Sequence, residues 1–271
     1  MNLARNVESQ FGFTLIELLV ALGIFLLITG AAFTLLSSSQ QRYQTESQVL
    51  TSFQEARLGL DQMVRDIDDA GFPPPTYFSS SFPLLSASAP FGWSPGYTVP
   101  TPCQIGVGGG GTCFTPGDFD IIIETNPNPQ DPASQVEWIE YKLQGTTLMR
   151  GVTNKAPAAD PSVQVQNSGT FAPFVQNVVN NACPPQIPQC QTAYPGIFGG
   201  GPVPIFSYTC DNSSPPPPTL PCPFAGTDNA PANIRDVAIT LIVAAPLPDA
   251  KTGLPRLVQL SGRGRRVNPN Q

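Results

Sequence analysis

Two patterns of apolar residues follow one another at the N-terminal end of the chain. From Phe13 to Leu36 nearly every position is apolar, Glu17 and the threonines being the exceptions. At about 1.5 Å per residue a helix over this stretch covers about 36 Å, enough to cross a bilayer. Further on the pattern thins to a stripe. Val49, Phe53, Ala56, Leu60, Met63 and Ile67 recur in alternating steps of four and three, which draws one apolar line along a helix. Asp61, Asp66, Asp68 and Asp69 fall off that line and are expected on a solvated face. No proline interrupts the run until Gly71 and Pro73-Pro74-Pro75 end it. The expectation is one helix from Phe13 to Ala70, apolar all round in its first half and one-sided in its second.

Beyond residue 72 the period changes. "DFDIIIET" (118–125), "VEWIEYKL" (136–143), "TTLMRGV" (146–152) and "IRDVAITLIV" (234–243) are rich in β-branched and aromatic residues and read as strands, with weaker candidates at 174–179, 203–209 and 256–261. Gln144-Gly145 separates the second and third, so Val136 to Val152 reads as a hairpin. The fold class that follows is α+β: a long N-terminal helix whose stripe packs on an antiparallel sheet. Pro/Gly-rich segments join the strands.

Composition narrows the function. Among 271 residues there is no histidine, which removes Ser-His-Asp and Cys-His catalysis and imidazole-ligated metal or haem. No enzyme activity, cofactor or metal site is expected. The net charge is −6, and the only local basic group is Arg263, Arg265 and Arg266, read as a soluble tail; general nucleic-acid binding is not expected. Cys103, Cys113, Cys183, Cys190, Cys210 and Cys222 form no Cys-x-x-Cys pair and read as disulfides of an oxidising compartment. Six cysteines allow fifteen connectivities; pairing of sequence neighbours (Cys103 with Cys113, Cys183 with Cys190, Cys210 with Cys222) is the reading that closes short polar loops. Disulfides also place the C-terminal part outside the cytoplasm and the short N-terminus inside.

Other chemistry is thin. Gly108 to Gly111 is not followed by Lys-Ser or Lys-Thr and reads as a loop between two cysteines rather than a phosphate cradle. Asp118 and Asp120 share a strand face, where paired-carboxylate or calcium chemistry competes with simple solvation; solvation is the expectation. A removable signal peptide competes with the membrane helix, but its apolar core runs about 7 to 15 residues and this one is longer.

Gly12-Phe13-Thr14-Leu15-Ile16-Glu17, followed by a membrane-length apolar helix, resembles the processing signal of type IV prepilins and type II secretion pseudopilins. "ARLGLDQMVRDIDDAGF", "FDIIIETN", "IEYKLQGTTLMRGV" and "IRDVAITLIV" are similar, in order, to PilW-type minor pilins, with J-type minor pseudopilins of type II secretion as the runner-up. The resemblance implies a leader (1–12), a transmembrane and filament-core helix (13–36), an amphipathic helix (37–71) and a periplasmic β-rich head (72–271). It implies a bacterial inner-membrane protein that is later assembled into a pilus or pseudopilus. Its partners would be prepilin peptidase, other minor and major pilins, the inner-membrane assembly platform and, before assembly, the lipid bilayer. A membrane-anchored periplasmic binding or adhesion module is the reading from another class.

The same resemblance implies cleavage between Gly12 and Phe13, N-methylation of Phe13, and an assembly-register role for Glu17, whose carboxylate would meet the amine that the cut creates. A carboxylate in hydrocarbon costs several kcal/mol unless paired or protonated. Read from the residues alone, Glu17 can instead snorkel to the headgroups. Gly23 and Gly30 are the weak points of the membrane half, each costing about 1 kcal/mol relative to alanine.

Overall fold

The computed structural model describes residues 12, 14–73, 89–96, 105, 116–131, 133–156, 159–184, 187–211, 220–222, 230–249 and 252–266. Two compact units result, Met1–Ser47 and Gln48–Gln271. Helix α1 runs over Leu15–Asp68, 54 residues, and keeps Gly23 and Gly30 in helical conformation. Its end is tied down by backbone bonds: the Gly71 N–H donates to Glu124 O at 2.8 Å and the Asn126 N–H to Phe72 O at 2.7 Å. Gly71 takes φ of 79°, the left-handed turn that glycine permits at a helix end.

Among the described residues of the second unit, nine strands make two antiparallel sheets rather than the one sheet expected. The first contains β1 (Phe91–Gly92), β2 (Asp120–Thr125), β3 (Glu137–Gln144), β4 (Thr147–Asn154) and β5 (Ala172–Val175), in that order. The β3–β4 hairpin turns at Gly145, whose φ is 59°. The second contains β6 (Phe206–Cys210), β7 (Leu220–Cys222), β8 (Ile234–Pro248) and β9 (Pro255–Arg265), ordered β7-β6-β8-β9.

The two sheets are separate because the run 174–179 does not stay in one strand. Asn177 adopts φ of 57°, which turns the chain from β5 into a strap along the second half of β8. There Val179 N–H donates to Ile242 O at 2.8 Å and Ala244 N–H to Asn177 O at 2.9 Å, while Val178 N–H reaches Thr146 O at 2.8 Å. Asn180 completes the joint: its amide nitrogen donates to Val203 O and Thr240 O, and its oxygen accepts from the Ile242 N–H. A buried amide with all these bonds made is stabilising; one left unmade would cost about 1–3 kcal/mol.

The helix stripe is buried as the periodicity predicts, with Ala56, Leu60, Met63 and Ile67 in one core with Ile121, Ile123, Ile139, Tyr141 and Leu148 of the first sheet and Phe206, Val237, Ile239 and Leu241 of the second. Val49 and Phe53 are half-buried. The close approach of β9 depends on glycine: a Cβ on Gly264 would sit 2.5 Å from Ile67 Cγ2, and one on Gly262 would sit 2.9 Å from Leu60 Cδ1. The opposite face of the first sheet is covered by α2 (Pro161–Gln166), whose Val165 packs on Ile122 and Trp138. Short helices α3 (Cys190–Ala193) and α4 (Pro195–Phe198) lie in a smaller cluster with Val179, Ile187, Ile242 and Ala244.

Cys183–Cys190 and Cys210–Cys222 are disulfides. Cys103 and Cys113 lie outside the described residues, as do Gly108 to Gly111.

Three expectations about charge are corrected. Asp66 is not on a solvated face but buried. Asp120 is buried and ion-paired to Lys142 at 3.1 Å, whereas Asp118 precedes the strand and is exposed. The three arginines are not a tail. Arg263 and Arg265 belong to β9 and face Asp236 at 2.8 and 3.8 Å, and buried Arg266 donates to Ala232 O at 2.8 Å. The alternating glycines of "SGRGRR" explain this, because they let the strand continue under α1 where larger residues would have forced it away.

Candidate functional site

The N-terminal segment places its polar groups within one turn of each other. Thr14 precedes the first helical residue, Leu15, and its backbone N–H and hydroxyl both donate to Glu17 Oε2, each at 2.9 Å. In return the Glu17 N–H donates to Thr14 Oγ1 at 3.3 Å. This is a capping box, in which a threonine at the helix start and a glutamate three residues on satisfy each other's orphan groups. Glu17 therefore has local partners within its own chain, which neither the expected pairing with the Phe13 amine nor the snorkelling alternative included. The signal was present as Thr-x-x-Glu directly before an apolar run. Only Oε2 is engaged in these bonds. Gly12 is exposed, with open space around the position a Cβ would take. Phe13 lies outside the described residues.

The helix that follows offers apolar side chains in all directions. Leu15, Ile16, Leu18, Leu19, Val20, Leu22, Ile24 and Phe25 are all exposed, and the surface continues to Leu36. An 18-residue window of this helix has a mean hydropathy of 2.5 with none of it buried, so by length and composition the helix can cross a membrane. Soluble monomers rarely expose so large a continuous apolar surface. Its two threonines add no unmet polar group: Thr29 Oγ1 donates to Phe25 O at 2.7 Å and Thr34 Oγ1 to Ala31 O at 2.8 Å.

In the second unit, helix and sheet are joined by a polar staple. Asp66 Oδ2 accepts from the Tyr141 hydroxyl at 2.6 Å and from Arg150 Nη2 at 3.0 Å, while Asp66 Oδ1 accepts from Gln62 Nε2 at 2.7 Å. Arg150 Nε donates to the Tyr141 oxygen at 2.9 Å, and its guanidinium lies 5.6 Å from the Tyr141 ring centre. Burial, then the adjacent Asp66, raises the Tyr141 phenol well above its ordinary range, so it stays a donor. Its position between the stripe residues Met63 and Ile67 could have shown that Asp66 turns inward.

The outer face of the first sheet carries a second charged group. Lys142 Nζ stands 3.1 Å from Asp120 Oδ2 and 3.8 Å from Glu140 Oε1. Glu140 Oε1 also accepts from Ser162 Oγ at 2.7 Å and Gln166 Nε2 at 3.1 Å, both on α2. Burial first, then the charge of Asp120, pushes Glu140 up to about 7. Asp120 is raised to about 6, also chiefly by burial, against the lowering effect of Lys142. Farther along this face Glu124 accepts from Trp138 Nε1 at 3.1 Å and Lys155 Nζ at 3.1 Å. Among the described residues no group of three or more His, Cys, Asp or Glu is arranged to hold a metal ion.

Comparison with known families matches residues 9–33 to the prokaryotic N-terminal methylation motif. The search of curated proteins finds no match. The search of solved structures finds none either. The matched residues are the ones that hold Gly12, the capping box and the exposed apolar turns, and they mark the chain as carrying the N-terminal signal of type IV pilin-like and pseudopilin-like precursors.

Proposed function

We propose that the protein is a minor pilin-like structural subunit, most similar to the PilW type, that waits in the bacterial inner membrane and is assembled into, or primes, a type IV pilus. The observation that carries this reading is the join at residues 12–17. An accessible glycine is followed by a capped helix whose apolar side chains are exposed among the described residues. In this reading residues 1–12 are a leader, 13–36 the membrane and filament-core helix, 37–71 its amphipathic continuation, and 72–271 a periplasmic head. Prepilin peptidase cuts between Gly12 and Phe13, and the new amine of Phe13 is methylated.

The Thr14 amide and hydroxyl lie on the retained side of that cut. The capping box thus survives processing and holds Glu17 Oε2, while Oε1 is offered to the ammonium of Phe13 on a neighbouring subunit. That pairing sets the axial register between packed helices, and its electrostatic part is strong in a low-dielectric surrounding. No step needs an active site, so the protein acts as a structural element.

Intact-mass measurement of the protein from cells with and without prepilin peptidase tests the cut. The expected product begins at Phe13, carries one methyl group and is missing without the peptidase. Crosslinking from the 180–230 segment then tests the assembly: capture of pilus subunits supports the proposal, and capture of secretion pseudopilins moves the protein to the J-type role that the same N-terminal signal serves. A full-length protein still carrying residues 1–12 in cells with active peptidase overturns both.

A further inference from the structure

We infer that Arg42 and Tyr43 form a depth anchor that binds the phosphate headgroups of the lipid leaflet on the far side of the membrane from Gly12. The inference rests on the membrane-spanning reading of the proposed function and adds to it what fixes the depth of the helix. From Leu15 to Leu36 the apolar run covers about 33 Å of helix, against about 30 Å for the hydrocarbon of a bilayer. Ser37-Ser38-Ser39-Gln40-Gln41, which follow, carry no charge. Arg42 is the first charged side chain after the apolar run, and Tyr43 the first aromatic one.

Both are exposed, Tyr43 to 75%. Among the described residues nothing engages the Arg42 guanidinium, and Glu46, one turn further along α1, makes no ion pair with it. The neighbouring hydroxyls are spent on the helix backbone, Ser38 Oγ on Leu35 O at 2.9 Å and Thr45 Oγ1 on Gln41 O at 3.0 Å.

Arg42 lies about 9 Å of helix beyond Leu36, less than two turns. Helical side chains tilt towards the N-terminus, here back towards the bilayer, so a long arginine recovers much of that rise and reaches phosphate level. A guanidinium offers phosphate two parallel N–H donors, and a tyrosine ring suits the same layer, its body inwards and its hydroxyl in water. The occupant is lipid rather than a protein acid because the apolar run that sets the hydrocarbon boundary ends so close to Arg42. From Leu15 to Arg42 the helix rises about 40 Å, close to the roughly 40–45 Å of a bilayer with both headgroup layers. With Arg42 held in one layer, the helix start at Leu15 lies in the other. The pair thereby acts as a ruler that keeps Gly12 at the opposite surface.

The test places the full chain, with carbon-13 in its arginine guanidinium groups, in vesicles of phosphatidylethanolamine and phosphatidylglycerol in phosphate-free buffer. Carbon–phosphorus dipolar recoupling then reports which guanidinium groups touch lipid phosphate. Ten arginines contribute to the signal, and Arg42→Gln should remove one arginine's share of the part dephased by phosphorus. A dephased part of the same size in both forms overturns the anchor. Contacts of the Phe25 and Phe33 rings with acyl chains are read on the same samples. If the rings lie among acyl chains while Arg42 contributes nothing near phosphorus, the anchor alone fails. If the rings make no acyl contact, the membrane reading fails and the anchor with it.

Discussion

The two ends of α1 are built on opposite terms. Residues 15–36 present large apolar side chains that are exposed in every direction, whereas residues 56–67 present one stripe and bury it. The first half contains one carboxylate, held by Thr14 at its own helix start; the second contains Asp66, held by Tyr141 and Arg150 on β3 and β4. The partner of the second half is thus encoded in the same chain, down to the glycines of β9 that make room for it. For the first half, the described residues show large apolar side chains exposed on every side, a surface that by itself does not choose one neighbour over another. In the proposed role, specificity there would rest on the single carboxylate, Glu17.

The contrast can be broken most severely at the proposed join with a leader. Gly12→Phe fills the open space beside the proposed cut and should reduce the mature species to an undetectable level by intact mass. The protein should remain in the membrane fraction because residues 15–36 are unchanged. Normal maturation would contradict the assignment of Gly12.

The next largest effect lies in the buried half. Asp66→Ala leaves the Tyr141 hydroxyl and the Arg150 guanidinium without their acceptor and should cost roughly 3–5 kcal/mol in denaturant unfolding of the second unit. Exposed Asp61→Ala should stay within about 0.5 kcal/mol. A loss at Asp66 no greater than that at Asp61 would remove the staple from the account.

Gly264→Ala asks how tightly helix and β9 approach. A Cβ 2.5 Å from Ile67 Cγ2 must displace its neighbours, with a cost of about 1–3 kcal/mol in the same unfolding measurement. The same change at Gly253, whose side is open, tests φ strain without the clash.

The smallest effect belongs to the cap. Thr14→Ala should weaken the helix start by about 1 kcal/mol, read as faster amide exchange over residues 15–18 in micelles, while Thr14→Ser restores protection. Equal exchange in all three forms would mean that Glu17 is held by something other than Thr14.

Local pattern was enough to show the helix stripe, the β3–β4 hairpin and the main strands, because periods of 3.6 and 2 follow from which face is covered. Pattern did not show that the strands divide between two sheets. That division depends on Asn177 in a left-handed conformation and on the long-range bonds of Asn180, neither of which alters local periodicity. Asp66, Asp120 and Arg266 were misplaced for a related reason: charge predicts exposure only until a partner from a distant strand arrives, and their partners are 75, 22 and 34 residues away or so in sequence. At the N-terminal site the motif over residues 9–33 was legible, and the roles proposed for Gly12 and Glu17 rest on it. The second role of Thr14 was not recognised, although its spacing to Glu17 is a helix-start signature in its own right.

The way Thr29 and Thr34 spend their hydroxyls on Phe25 O and Ala31 O has a consequence for traffic between environments. Apart from Glu17, the segment from Leu15 to Leu36 arrives in any apolar host with its hydrogen bonds already closed, so exchanging lipid tails for neighbouring helices breaks none of them. Such an exchange is close to symmetric in free energy. If the protein is assembled from the membrane as proposed, the described bonds of this segment supply no ratchet, and a subunit that had left the bilayer could be returned to it by the same route.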